Sequence, residues 1–269
     1  MNIKDYYMNP GEKPLDIIKA DGGFTGIFRT VACIGDSLSS GEFESTNADG
    51  SKGYHDMYEY SWGQYIARAA GTKVYIFSAG GMTAGYYTKV WADDRGFWDP
   101  SLSAQAYIIA LGVNDIINQN QPIGTVDDID FDDPDNTNET FASVYGSIIA
   151  KYRKISPRAR FFLMTMPRES DGKNDKRENH AALLNDIANR LEHTYVIDLF
   201  KYAPVYDEDF HSHFYLGGHL NPAGYLLTAN IVMSYIDYII RSNPRDFADV
   251  GFIGTEHYYS HALVGYTKV

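Results

Sequence analysis

At 269 residues the chain is long enough for one large domain or two small ones. With 44% hydrophobic and 22% charged residues it can form a full core, which excludes wholesale disorder. The formal net charge of −12 argues against nucleic acid or an anionic membrane as a partner, since both need clustered Lys and Arg.

In chain order, residues 1–28 are polar and interrupted by Pro10, Gly11, Pro14, Gly22, Gly23 and Gly26, so an irregular arm packed on the domain is expected. The first residues lack the apolar stretch of a secretory leader, and no long uncharged run follows; a cytoplasmic, soluble protein is expected. The run 29–35 is apolar and breaks into Gly35-Asp36-Ser37-Leu38, as a buried strand does when it ends in a tight turn. The single cysteine, Cys33, lies within that run and reads as a small core residue, which excludes an internal disulfide framework. Residues 42–58 read as a polar loop. A helical pattern resumes at Ser61 and stops at Gly71, a C-terminal glycine. Further strands are predicted over 73–77, 106–111, 160–164 and 195–199, with helices over about 139–154 and 175–192. The last helix has clear punctuation: Asn221 as cap, Pro222 at its first position, and an apolar face over 225–240. Residues 245–269 form a tail expected on the surface of the same domain. Five strand-like runs alternating with helices predict one domain, 29–244, with a parallel sheet covered by helices on both faces.

Three consecutive strands end in glycine-containing polar turns: Gly35-Asp36-Ser37, Ser78-Ala79-Gly80 and Gly112-Val113-Asn114-Asp115. In a parallel sheet these turns share one edge, where ligand sites collect. Taken alone, Asp36 and Ser37 are as well explained as helix caps as by nucleophilic chemistry. A hydroxyl nucleophile needs a base for its proton and donors where an oxyanion develops. Gly80 and Ser37 offer backbone N–H groups, and Asn114 a side-chain amide. His219, in Gly217-Gly218-His219-Leu220-Asn221-Pro222, stands at the entry to the last helix and is the natural base.

The four blocks, Gly35-Asp36-Ser37-Leu38, Gly80, Gly112-Val113-Asn114-Asp115 and His219, resemble in order those of the SGNH branch of the GDSL hydrolases. The resemblance spans nearly the whole chain. It implies a flavodoxin-like three-layer α/β/α sandwich with a five-stranded parallel sheet, and a metal-independent esterase without a cofactor. It makes Ser37 the nucleophile, His219 the general base and then acid, and Ser37, Gly80 and Asn114 the oxyanion hole. Two positions depart from the family pattern. Leu216 stands where an Asp three residues before the histidine would orient the imidazole, and Ser78 stands where many members carry Asn. Either a backbone carbonyl holds His219, giving a Ser–His dyad, or another carboxylate such as Asp207 or Asp209 reaches it.

The substrate expected is a small ester, with an acetyl group on a carbohydrate as one candidate. Arg168, just past the fourth strand, is the best-placed substrate contact outside the four blocks. The oligomeric state is left open. Two alternatives share the same residues: a catalytically silent ligand-binding protein on the same fold, and an O-acyltransferase. Gly80 to Gly85 has phosphate-loop spacing, but Tyr86 and Tyr87 follow where Lys and Ser/Thr would be needed. No Gly-x-Ser-x-Gly elbow occurs. The aspartates from Asp127 to Asp135 read as a solvated loop, and His211, His213 and His219 lack zinc-ligand spacing.

Overall fold

The computed structural model describes residues 3–259. β1 (Thr30–Gly35) leads into the short α1 (Ser37–Ser40). A hairpin of β2 (Glu42–Thr46) and β3 (Lys52–Asp56) follows, then α2 (Trp62–Ala70) and β4 (Lys73–Ser78). Two single-turn helices, α3 (Ala84–Tyr86) and α4 (Ala92–Asp94), flank a π-helical turn and precede β5 (Ala106–Ala110). Next come α5 (Phe141–Ile155), β6 (Arg160–Met164), α6 (Asn174–Arg190) and β7 (Thr194–Ile197). The chain closes with α7 (Leu199–Tyr202), α8 (Glu208–Phe214), the two-residue strands β8 (Tyr215–Leu216) and β9 (His219–Leu220), and α9 (Pro222–Ser242).

The main sheet has the order β4-β1-β5-β6-β7, and every pair is parallel. Counted in chain order this is 2-1-3-4-5, the doubly wound order whose switch point lies beside its first strand. The sandwich is therefore of the expected flavodoxin-like kind. β1 is buried on both faces, which is why it reads as a continuous apolar run. Its side chains still alternate. Val31 and Cys33 pack with Trp62, Ile66 and Tyr225 beneath α2 and α9, and Ala32 and Ile34 pack with Tyr145 and Ile148 of α5 on the opposite face. Cys33 is fully buried, and burial pushes its thiol well up.

α9 starts as its sequence indicates. The Asn221 side chain accepts the Gly224 N–H at 2.9 Å, and Pro222 occupies the first turn. By length and composition α9 could cross a membrane, but 72% of its most apolar window is buried within the domain. Residues before β1 lie on it: the Lys19 N–H donates to Ser234 Oγ at 2.7 Å, and Thr25 Oγ1 to the Met233 carbonyl at 3.2 Å. Beyond α9, the Arg158 guanidinium holds the carbonyls of Phe252 and Thr255, both at 2.7 Å. The rest of the expected tail, 260–269, lies outside the described residues.

The segment read as a polar loop over 42–58 is instead largely a hairpin. Its ten paired positions are almost all partly or fully exposed, so neither strand has a buried face to impose an alternating pattern. α7 and α8 likewise escaped the sequence reading, being only four and seven residues long.

Candidate active site

Strand register brings the three polar turns together. Gly35 lies opposite Ser78 on one side and Ala110 on the other, so β4, β1 and β5 end in one row. Gly35 has no substitute here, because a Cβ would run into Ser39 and sit 3.0 Å from the Ala110 carbonyl. Asp36 caps α1 and accepts the Leu38 N–H at 3.0 Å. It is buried, which together with the nearby charges of Asp115 and Glu42 pushes its carboxyl up to about 7 against the pull of the Leu38 bond. Ser37 is the first residue of α1 and half-buried. Ser78 is buried and tied to the Cys33 carbonyl at 3.1 Å and to Ser39 Oγ at 3.0 Å, a turn-bracing role.

On the next turn, the Gly80 N–H donates to both Asp56 carboxylate oxygens, at 3.1 and 3.3 Å. Ser40 Oγ donates to the same carboxylate at 2.5 Å. After β5, Asn114 donates its amide to the Met82 carbonyl at 3.0 Å and accepts from Asn118 at 2.9 Å. Asp115 is buried, its carboxyl pushed up to about 6 by burial, and accepts the Ala84 N–H at 2.8 Å. Asn114 and Asp115 thus pin the loop that carries Gly80.

His219 arrives on β9, which packs against α1 and β2. Its Nε2 lies 3.0 Å from Glu42 Oε1, and its Nδ1 is buried with no hydrogen-bond partner. The edge of its ring meets Tyr54, centroid to centroid 5.8 Å. Burial pulls the imidazole pKa below the ordinary histidine value; the carboxylates of Glu44 and Asp56 oppose that and Lys52 assists it. The β8–β9 turn is tied down in turn, because the Gly218 N–H donates to Glu44 Oε2 at 3.0 Å and Glu44 pairs with Lys52 at 2.8 Å.

The structure therefore collects Ser37, Gly80, Asn114 and His219 at one sheet edge. Ser37 Oγ and His219 share no hydrogen bond. Leu216 sits directly across β8–β9 from His219 with its side chain half exposed. Neither acid suggested by sequence backs the imidazole. Asp207 spends its carboxylate capping α8 at the Phe210 N–H, 3.0 Å away, and Asp209 lies by His213 at 3.7 Å. The carboxylate beside His219 is Glu42, missed because nothing in its spacing ties it to a histidine so far along the chain. Arg168 lies past β6 on the same edge, its carbonyl accepting the Tyr206 N–H at 2.8 Å and its buried Nε without a partner. His211 stacks on Tyr215 with centroids 4.0 Å apart. In the acidic loop, Asp127 pairs with Arg190 and Asp135 with Lys151, both at 2.9 Å. Among the described residues, no three His, Cys, Asp or Glu side chains are grouped to hold a metal ion.

The site thus holds a serine at the end of the first strand, an imidazole returning from the far end of the chain and amide donors on two neighbouring turns. The family is shown directly: residues 33–227 match the GDSL-like lipase/acylhydrolase family, and the chain belongs to it. That family places the chain among ester-hydrolysing enzymes. Solved structures agree on the fold. A family two carbohydrate esterase from Clostridium thermocellum, in complex with cellohexaose, superposes with a TM-score of 0.54 at 17% identity, over 87% of this chain and 66% of its own. A possible lipase from Chitinophaga pinensis gives 0.51 at 21% identity, over 80% and 98%. A family 3 carbohydrate esterase from Clostridium thermocellum gives 0.52 at 13% identity, over 79% and 97%. Among curated proteins, none matches.

Proposed function

We propose that the protein is a serine esterase for a small ester, acting through an acyl-enzyme on Ser37. The observation that carries the proposal is the row of strand ends at Ser78, Gly35 and Ala110, with β9 bringing His219 against α1. In this reading Ser37 Oγ attacks the ester carbonyl carbon while His219 takes its proton. The oxyanion is met by the N–H groups of Ser37 and Gly80 and the Asn114 amide. His219 then returns the proton to the departing alcohol, and water releases the acyl group by the same steps in reverse order. Gly80 and Asn114 exchange their present acceptors, Asp56 and Met82, for the oxyanion.

An acetyl group on a carbohydrate is the favoured substrate. Two structures of the same fold are described as carbohydrate esterases, and the hairpin side of the site carries the exposed rings of Tyr54, Tyr58 and Tyr60. Arg168, which follows β6 on the same sheet edge, is the proposed contact for the alcohol part. The rival reading, a silent ligand-binding protein, is favoured by the missing Ser37–His219 hydrogen bond and by the occupied Gly80 N–H.

One assay decides between them. Wild type is expected to hydrolyse p-nitrophenyl acetate and acetylated sugars, and to be labelled by a fluorophosphonate, whereas Ser37→Ala does neither. A wild type inert to both the ester panel and the probe selects the binding protein. Ester exchange onto an added alcohol would mark an acyltransferase.

A further inference from the structure

We infer that Glu42 is the positioning residue for His219, filling the part left open by Leu216. In its catalytic aspect the inference rests on the esterase reading above. Three local features hold the Glu42 carboxylate in place. Gly41, at φ +79°, ends α1 and turns the chain at once into β2; a Cβ there would meet the backbone of Ser61 at 2.6 Å and of Met57 at 2.7 Å. The Tyr225 hydroxyl, on α9, donates to the Glu42 carbonyl at 2.7 Å and fixes the first residue of the strand. Gly80 makes room for the carboxylate: a methyl group at its Cα would collide with Glu42 Oε2. The other oxygen, Oε1, is then left 3.0 Å from His219 Nε2, with both side chains largely buried, 10% and 15% exposed.

The pair is thus a built contact between groups set in place from three separate parts of the chain. A carboxylate at this distance accepts the Nε2–H of a neutral imidazole and so selects that tautomer. The lone pair is left on Nδ1, the ring nitrogen that is buried without a partner. That nitrogen is the one free to take the Ser37 proton. The imidazolium formed in that step is stabilised by the Glu42 charge, the service an orienting acid gives in a triad. Leu216 cannot compete, since its side chain points into solvent across the β8–β9 pair. The acid has moved from the histidine's own segment to the strand that follows the nucleophile.

The test uses the full chain and two readouts, on wild type, Glu42→Gln, Glu42→Ala and Ser37→Ala. The first is a histidine NMR titration, with His219 assigned by the signal lost in His219→Asn. The charged and titratable groups bearing on His219 are Glu42 and Glu44 on β2, and Lys52, Tyr54 and Asp56 on β3. Only the first is altered, so E42Q is expected to lower the His219 pKa by about half a unit or more. The second is ester hydrolysis. Here kcat is expected to fall about 100- to 10,000-fold in E42Q and E42A with KM nearly unchanged, and added formate to restore part of the E42A rate but none in Ser37→Ala. The near-isosteric E42Q, checked by its thermal midpoint, covers the case in which E42A fails to fold. An unmoved His219 titration in E42Q overturns the pairing, whether or not wild type hydrolyses esters. A moved titration with kcat within about threefold of wild type, or a faster E42A, overturns the positioning role while leaving the Ser37 reading intact. If wild type is inert and Ser37 unlabelled, the esterase reading fails, and the titration alone decides the pairing.

Discussion

Acids crowd the switch point of this sheet, and burial decides what each of them does. Asp36, Glu42 and Asp115 are all held above the ordinary carboxylate range, and for each the dominant cause is loss of water. Glu42 and Asp56 also face one another directly across the β2–β3 pair, an arrangement of like charges that costs stability on a sheet. Gly80 and Ser40 relieve it by donating to Asp56, and His219 relieves it at Glu42. Asp36 accepts the Leu38 N–H, but burial outweighs that bond and pushes its carboxyl up to about 7, against about 6 at Asp115. Its folded pKa, about 7, lies above the unfolded value, so the stability it contributes is present at low pH and lost as pH rises through 7. Asp36→Asn keeps an equally good cap and removes the titration. The stability gain of the variant over wild type is therefore expected to widen between pH 5 and pH 8, by on the order of 2 kcal/mol. Urea unfolding at the two pH values measures it, and a gain that does not change with pH would refute the account.

At the scale of elements, the β2–β3 hairpin is the part of the molecule that makes this site unlike a bare serine–histidine pair. It delivers Glu42 to His219, Asp56 to the Gly80 N–H, Glu44 to the β8–β9 turn and Tyr54 to the imidazole edge. All four depend on the direction in which the chain leaves α1, and Gly41 sets that direction. Gly41→Ala is expected to cost about 1–3 kcal/mol, because a side chain at positive φ meets backbone rather than yielding side chains. It should also lower kcat, since Glu42 is the next residue. Unfolding and kinetics on one preparation check both, and a stable variant with full turnover would contradict them. What the sequence showed follows the same division. Central strands were legible because both faces are buried, and α9 because Asn221 and Pro222 mark its start. The hairpin was not, since its exposed faces leave polar residues on both sides, and the partners of Glu42 and Asp56 lie on other elements. The four chemical blocks were legible one by one; what stands behind His219 was not, because the position where an acid is usually read holds Leu216.

For the whole molecule, a buried ion network is one of the fastenings between the N-terminal segment and α9. Arg241, near the end of α9, pairs with Asp237 at 2.7 Å and with Glu12 of the N-terminal segment at 2.6 Å, and all three side chains are at most 4% exposed. Asp237 also accepts the Phe24 N–H at 2.9 Å, so the cation and its two acids fasten the segment along the helix. The Arg241 guanidinium holds the Glu12 carboxyl below the usual carboxylate range, so this contribution is present at neutral pH and lost as pH falls through the folded value. Removing one member of a buried ion network costs more than the network contributes, because the charges left behind have no water. Arg241→Ala strands two carboxylates and is expected to destabilise the fold by about 3–5 kcal/mol. Glu12→Gln leaves Arg241 paired with Asp237 and should cost clearly less. The network lies under the N-terminal segment, remote from the Ser37 turn, so turnover per labelled Ser37 is expected to be unchanged in both variants. Limited proteolysis should then cut the first 28 residues of Arg241→Ala well before those of wild type. Equal proteolysis rates, or equal losses in the two variants, would show that the segment is held by its apolar contacts rather than by these charges.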